Sequence, residues 1–263
     1  MKKIMVIGYG AMAQYVLANL PSDLSLGYLL VKPEKVEQTQ AIVGDYVQVI
    51  SSVAELQGKP DIVVEMAGQS GLKQHLLDLL FLGLDVGVIS VGAFADREFE
   101  AKVKQSALYH ECKVHVLAGA VAGMDGLAAA KLAGLDQVIY QGRKPPQGWQ
   151  DSYAESLIDL NDIEEATTFF KGTAREAAML FPANSNVAAT IALAGIGMDA
   201  TMVELIADPS SERNQHNIQA KGAFGEMTIT MQGLPLPDNP KTSMLAALSV
   251  LKYCHQSTEN IVI

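Results

Sequence analysis

Short apolar runs alternate with helical periodicity through the first half of the chain. Ile4–Ile7, Leu26–Val31, Tyr46–Ile50, Asp61–Met66, Val86–Val91 and Val114–Leu117 read as buried strands, being brief, apolar and bounded by polar or turn residues. Between them, Gly71–Leu82 and Asp96–His110 repeat their apolar residues at helical spacing. Strand followed by helix, repeated, predicts a parallel sheet with crossover helices. Asp96 stands at an N-cap position ahead of an acidic first turn.

The pattern changes in the second half. Leu135–Gln141, Thr167–Lys171, Met202–Ile206, Asn217–Lys221 and Glu226–Gln232 read as strands. In the last of these, Met227, Ile229 and Met231 alternate with Thr228 and Thr230, as in a half-buried antiparallel strand. Gly222 and Gly225 mark a hairpin. Arg175–Phe181 and Asn186–Gly195 predict helices, the second preceded by Asn184 and Ser185 as capping residues. Lys144 to Trp149 is expected to be a loop, and a closing helix is expected over Met244–Cys254.

The first strand and its successor carry a specific feature. Ile4–Ile7 runs into Gly8-Tyr9-Gly10-Ala11-Met12-Ala13 and then an apolar-periodic helix. Strand, glycine turn and helix form the context of a dinucleotide fingerprint. Gly8 permits the turn, Gly10 lets backbone approach a pyrophosphate, and the helix start, Ala11 and Met12, faces the phosphates. The fold class follows: α/β, with an N-terminal Rossmann dinucleotide-binding domain over residues 1–120 completed by a C-terminal segment, 240–263. Residues 121–239 are expected to form an α+β domain with a mixed or antiparallel sheet and the catalytic groups.

Composition narrows the partners. The 263 residues are 49% hydrophobic and 18% charged, with a formal net charge of -10. Such a surface repels nucleic acid and anionic lipid, so neither is expected as a partner. No apolar run reaches membrane-spanning length, and the N-terminal strand leaves no room for a cleaved signal. The only cysteines, Cys112 and Cys254, lack a metal-type spacing. A cytoplasmic protein with free thiols and no metal is expected.

At the end of the second strand a NAD-binding unit usually places an acidic residue against the ribose hydroxyls. Here Lys32 precedes Pro33, and a cation there suits the 2′-phosphate of NADP or is simply a solvated lysine. Ala67, Gly68 and Gly92 fall at the carboxyl ends of later strands, the ligand edge of an open α/β sheet. The small-residue loop from Leu117 to Gly126 suits a nicotinamide ring. Four polar clusters follow, at 172–176, 184–186, 213–216 and 239–243. They offer imidazole, guanidinium, ammonium and helix N-terminal donors, a set suited to a small dianion. His75, His110 and His255 lie on helical patterns and are expected to be surface or half-buried, while His115 falls in a strand. His216 alone sits in a polar run entering a sheet, and is the acid/base candidate beside the alternative of a structural histidine.

The stretch Gly-Thr-Ala-Arg-Glu-Ala-Ala-x-Leu-Phe-Pro-x-Asn-x-Asn-Val-Ala-Ala-Thr over residues 172–190 resembles the signature of the L-aspartate dehydrogenases. So do Asn214-x-His216-x-Ile218, Gly222-x-Phe224-Gly225 and Asn239-Pro240-Lys241-Thr242-Ser243. The resemblance implies NAD- or NADP-dependent oxidation of L-aspartate to oxaloacetate and ammonia through iminoaspartate, with a feed into NAD biosynthesis left open. It maps the family's active-site histidine onto His216, and its nicotinamide-side contacts onto Asn186 and either Ala120 or Ala122. Lys32-Pro33 departs from relatives with an acidic residue there. Arg175, Lys241 and Thr242 are candidates for the substrate carboxylates, and a homo-oligomer, most simply a dimer, is expected. The competing readings are another two-domain reductase, similar to dihydrodipicolinate reductase or homoserine dehydrogenase, and a dinucleotide sensor without turnover.

Overall fold

A computed structural model of the chain describes residues 1–237 and 239–262, the side chains of Ala183, Pro240 and Lys241 excepted. The first sheet and its crossovers run β1 (Lys2–Ile7), α1 (Ala11–Ala18), β2 (Leu24–Leu30), α2 (Val36–Val43), β3 (Gln48–Ile50), β4 (Ile62–Glu65), α3 (Gly68–Phe81), β5 (Val86–Val88), α4 (Arg97–Tyr109) and β6 (Val114–Val116). The strand order is β3-β2-β1-β4-β5-β6, with all neighbours parallel. Ile4 to Ile7 are buried because helices cover both faces of such a sheet. The order reverses between β1 and β4, and ligands of open α/β sheets lie outside the strand ends at such a point.

Local chemistry sets the element ends. Asp96 caps α4 as expected, its carboxylate accepting from the Glu98 and Phe99 amides at 3.1 and 3.2 Å. The strand expected over Val86–Val91 stops at Val88, because Ser90 turns toward Glu65 and Val91–Ala95 forms a 3-10 turn. Helix α2 has no counterpart in the apolar pattern, since Thr39 is its one buried residue among those described. His75, expected at or near the surface, is instead buried on α3.

The second sheet is built from β7 (Leu135–Lys144), β8 (Thr167–Thr173), β9 (Met202–Ala207), β10 (Gln215–Gly222) and β11 (Gly225–Gln232), with helices α5 (Met124–Ala133), α6 (Ala174–Leu180) and α7 (Asn186–Ala194). Its order is β11-β10-β7-β9-β8, antiparallel except for the β7–β9 pair. Gly222 pairs with Gly225 at the expected hairpin. Two strands outrun their apolar patterns: β7 extends to Lys144, and β10 begins at Gln215 and so includes His216. One face buries Val138, Tyr140, Val203, Leu205, Ile218 and Ala220.

Two caps differ from expectation. Ser185 makes no side-chain cap to α7, and its hydroxyl donates to the Pro182 carbonyl at 3.0 Å. Thr173 and Glu176, read as part of a polar cluster, form a reciprocal capping box on α6. The chain closes with β12 (Pro235–Leu236), β13 (Asn239–Ser243) and α8 (Met244–Gln256).

The chain divides into two compact units. The first holds Met1–Leu117, Leu236–Thr242 and Ala246–Ile263, and the second holds Ala118–Pro235 and Ser243–Leu245. Within the first, Tyr253 of α8 lies so close over β5 that a Cβ on Gly87 would stand 2.7 Å from its ring. Both cysteines are free and buried. Among the described residues, no helix is long and apolar enough to cross a membrane, and no group of three His, Cys, Asp or Glu side chains gathers to hold a metal.

Candidate active site

The first unit contains a cleft of about 510 Å³ at the reversal between β1 and β4. Gly8, Gly10, Lys32, Ala67 and Ser70 line it, from three neighbouring strand ends. Gly8 adopts a φ of +91°, and a Cβ there would lie 2.7 Å from the Met66 carbonyl oxygen. Only glycine fits that turn without strain. Gly10 faces open space, with nothing within 4 Å of where its Cβ would stand, and no side chain caps the first turn of α1. An uncapped helix start beside an open approach is what a pyrophosphate requires.

Lys32 is exposed immediately after β2, and Lys35 lines the same cleft, so two ammonium groups flank the place where a NAD unit would carry an acid. Ala11 and Met12 form the first turn of α1, Gly68 opens α3, and Gly92 is buried in the turn after β5; none of these four lines the cleft.

A buried carboxylate ties two loops of this edge together. Glu65 ends β4 fully buried; its Oε1 accepts from the Ala67 amide and the Ser90 hydroxyl, both at 2.7 Å, and its Oε2 from the Ser90 amide at 3.1 Å. Burial raises its pKa, while these hydrogen bonds pull the other way.

The second unit gathers a cluster on the buried face of its sheet. Tyr140, Gly142 and Lys144 alternate along one side of β7, and His216 of β10 pairs directly with Gly142. Tyr140 leans along its strand, Oη standing 2.9 Å from His216 Nδ1, with the rings stacked at 6.0 Å. The missing side chain at 142 makes room, since a Cβ there would lie 2.7 Å from that hydroxyl. Two residues on, the Lys144 ammonium donates to the Asn184 side-chain oxygen and lies 4.6 Å from the centre of the Trp149 ring. Gly148 closes over its stem, where a Cβ would come within 3.2 Å of Lys144 Cβ.

Burial governs the titration of this cluster. It pushes His216 down to about 4, helped by the nearby Lys144 charge, so the imidazole is neutral at pH 7. Burial likewise lowers Lys144 to about 8 and raises the Tyr140 phenol. A neutral imidazole, oriented through one nitrogen by a phenol, can exchange a proton at the other.

The remaining expected residues lie as follows. Ala120 is half-buried and Ala122 exposed, on either side of buried Val121, and Asn186 opens α7 with an exposed side chain. Arg175 is buried on α6, and its guanidinium donates to both carboxylate oxygens of Asp199 at 2.8 and 3.0 Å. Thr242 accepts from the Asn239 side chain at 2.9 Å, and the Lys241 side chain lies outside those described. Tyr140, Lys144, Glu65 and Lys35 carry no motif, and Asn184 stood in the sequence only as a capping residue and a member of a polar cluster and of the resemblance. The one signal for Lys144 was its place in the alternation Val138-x-Tyr140-x-Gly142-x-Lys144, which continues the strand into the supposed loop.

Comparison with known proteins places this geometry among relatives. Residues 125–257 match the family model "Aspartate dehydrogenase, C-terminal", and residues 8–117 match "Homoserine dehydrogenase, NAD binding domain". The L-aspartate dehydrogenase of Acinetobacter baumannii is 54% identical over 263 residues, covering 100% of both chains. That of Psychrobacter cryohalolentis is 52% identical over 256 residues, covering 97% of each. The crystal structure of aspartate dehydrogenase from Thermotoga maritima superposes with a TM-score of 0.80 at 24% identity, covering 100% of this chain and 99% of that one, a likeness of fold.

Proposed function

This chain belongs to the L-aspartate dehydrogenase family, and from that premise we propose that it oxidises L-aspartate to oxaloacetate and ammonia through iminoaspartate. The full-length likeness to curated L-aspartate dehydrogenases carries the choice of substrate. When bound, the nicotinamide dinucleotide supplies the acceptor for the hydride that leaves the aspartate Cα.

The chain's own groups do the rest. Gly8, Gly10 and the first turn of α1, with Ala11 and Met12, hold the pyrophosphate, because Gly10 opens onto free space and no side chain caps that turn. Ala67, Gly68 and Gly92 border the cofactor's path, and Ala120 or Ala122 and Asn186 serve its nicotinamide end. Lys32, joined by Lys35, admits the 2′-phosphate of NADP beside NAD.

His216 acts on water. For Nε2 to accept a proton, Nδ1 must carry the hydrogen and donate it to the Tyr140 oxygen, an arrangement the 2.9 Å separation permits. The neutral imidazole then takes a proton from the water that adds to the imine carbon, and can return it as the amine leaves. Arg175, Lys241 and Thr242 remain proposed contacts of the substrate carboxylates, Arg175 the least direct because Asp199 engages its guanidinium. A cytoplasmic homodimer is part of the same proposal.

The test is absorbance of reduced cofactor with L-aspartate and each of NAD and NADP. Turnover of L-aspartate with oxaloacetate as product is expected. Turnover of a different substrate with L-aspartate inert would favour the other reductases, and dinucleotide binding with no turnover would favour a sensor.

A further inference from the structure

Lys144 is the titratable member of the second unit's cluster to which the proposed chemistry gives no work. Withdrawing an ammonium even partly from water is costly unless an anion meets it, and among the described residues no carboxylate pairs with half-buried Lys144. The neighbouring acid is turned elsewhere. Asp208, whose amide bonds the Lys144 carbonyl at 2.9 Å, directs its carboxylate to Arg143 at 2.6 Å and to Ser210. Lys144 instead holds a neutral amide oxygen from Asn184 and the face of Trp149.

The surroundings are built to keep it there. Pro145 and Pro146 turn the chain back, Gly148 lets that turn close on the lysine stem, and Trp149 is anchored by its N–H to the Ile206 carbonyl at 3.0 Å. Phe169 and Phe181 pack edge-on against the same indole. A flexible cation is thus fixed at the end of the strand that also carries Tyr140.

We propose that Lys144 is the counter-ion for a carboxylate of the substrate, seated beside His216. The assignment rests on the L-aspartate reading and deepens it, because a dianion supplies the negative charge the cluster lacks. It also links binding to chemistry: His216 is held down partly by the Lys144 charge, so a carboxylate that offsets that charge leaves the imidazole a stronger base.

Other groups around Lys144 stay constant through the working range. His216 on β10 is neutral above about pH 4, the Tyr140 phenol is protonated, Asn184 and Trp149 do not titrate, and the Asp208 carboxylate is held ionised by Ser210 and Arg143. Affinity for a dicarboxylate is therefore expected to fall above about pH 8, where Lys144 loses its proton.

The probe is succinate, a four-carbon dicarboxylate without an amine, titrated calorimetrically into the cofactor-loaded wild type, Lys144→Met and Lys144→Arg. Removing one partner of a buried charge pair weakens binding by about thirty-fold or more, so Lys144→Met should lose at least that. Lys144→Arg should keep part of the affinity and lose the decline above pH 8. Thermal unfolding at pH 7 should show Lys144→Met at least as stable as wild type, since it no longer holds a half-buried charge without a counter-ion. Succinate bound by Lys144→Met within two-fold of wild type would overturn the proposal. So would wild type that turns over L-aspartate without binding succinate. Binding needs no turnover, so an enzyme inert on L-aspartate would refute the substrate reading while calorimetry still judged Lys144.

Discussion

Tyr140 reaches His216 diagonally across two antiparallel strands, over the bare backbone of Gly142. Their 2.9 Å hydrogen bond engages Nδ1 and leaves Nε2 as the nitrogen the proposed chemistry would use. Tyr140→Phe should therefore lower kcat for L-aspartate by about ten- to a hundred-fold, a fraction of what the base itself contributes, and leave the KM for dinucleotide unchanged. Gly142→Ala should act in the same direction by displacing the hydroxyl. Steady-state kinetics of both variants check this, and unchanged kcat in Tyr140→Phe would show that the bond does not orient the base.

The depressed pKa of His216 makes stability depend on acid. The unfolded chain takes up the imidazole proton near the ordinary value of 6.5, and the native state only near 4. The unfolded state thus binds more protons in between, and stability is lost as pH falls through that window. At 1.36 kcal/mol per unit the loss is roughly 3 kcal/mol. Urea unfolding at pH 7 and pH 4 should show wild type losing about that much more than His216→Gln; parallel losses would remove the imidazole from the effect.

Much of this was legible in the sequence. The strand, glycine turn and helix at the N-terminus were readable because one covalent neighbourhood holds both glycines that line the cleft. His216 was readable because its surroundings in sequence are polar while the strand it enters is apolar. Its partners were not. Tyr140 and Lys144 lie some seventy residues away along the chain and meet it only through sheet register. Lys144 was hidden by the two prolines behind it, which signal a loop although the strand runs up to them. Thr173 and Glu176 looked chemical but serve a helix start, since capping and catalysis draw on the same residue types.

Lys32 and Lys35 border the cleft where the adenosine ribose of a dinucleotide would lie. Lys32→Asp should raise the KM for NADP much more than that for NAD, because an acid repels the 2′-phosphate and accepts from ribose hydroxyls. Equal changes for the two cofactors would assign Lys32 to solvent.

Glu65 holds the loops after β4 and β5 through Ala67 and Ser90. In Glu65→Gln one side-chain position becomes a donor facing donors, leaving buried N–H or O–H groups unmet at a cost of about 1–3 kcal/mol. The variant should melt at a lower temperature and show a raised KM for dinucleotide with kcat nearly retained. Wild-type KM beside a lowered melting temperature would confine Glu65 to stability.

The role of His216 is tested most directly by His216→Ala, with kcat, dinucleotide binding and melting temperature measured on one preparation. General acid/base groups contribute about a hundred- to ten-thousand-fold, so kcat for L-aspartate should fall within that range while dinucleotide affinity stays nearly unchanged. A variant with normal kcat and KM for L-aspartate and only a changed melting temperature would contradict the proposal, and His216 would then be a structural residue of β10.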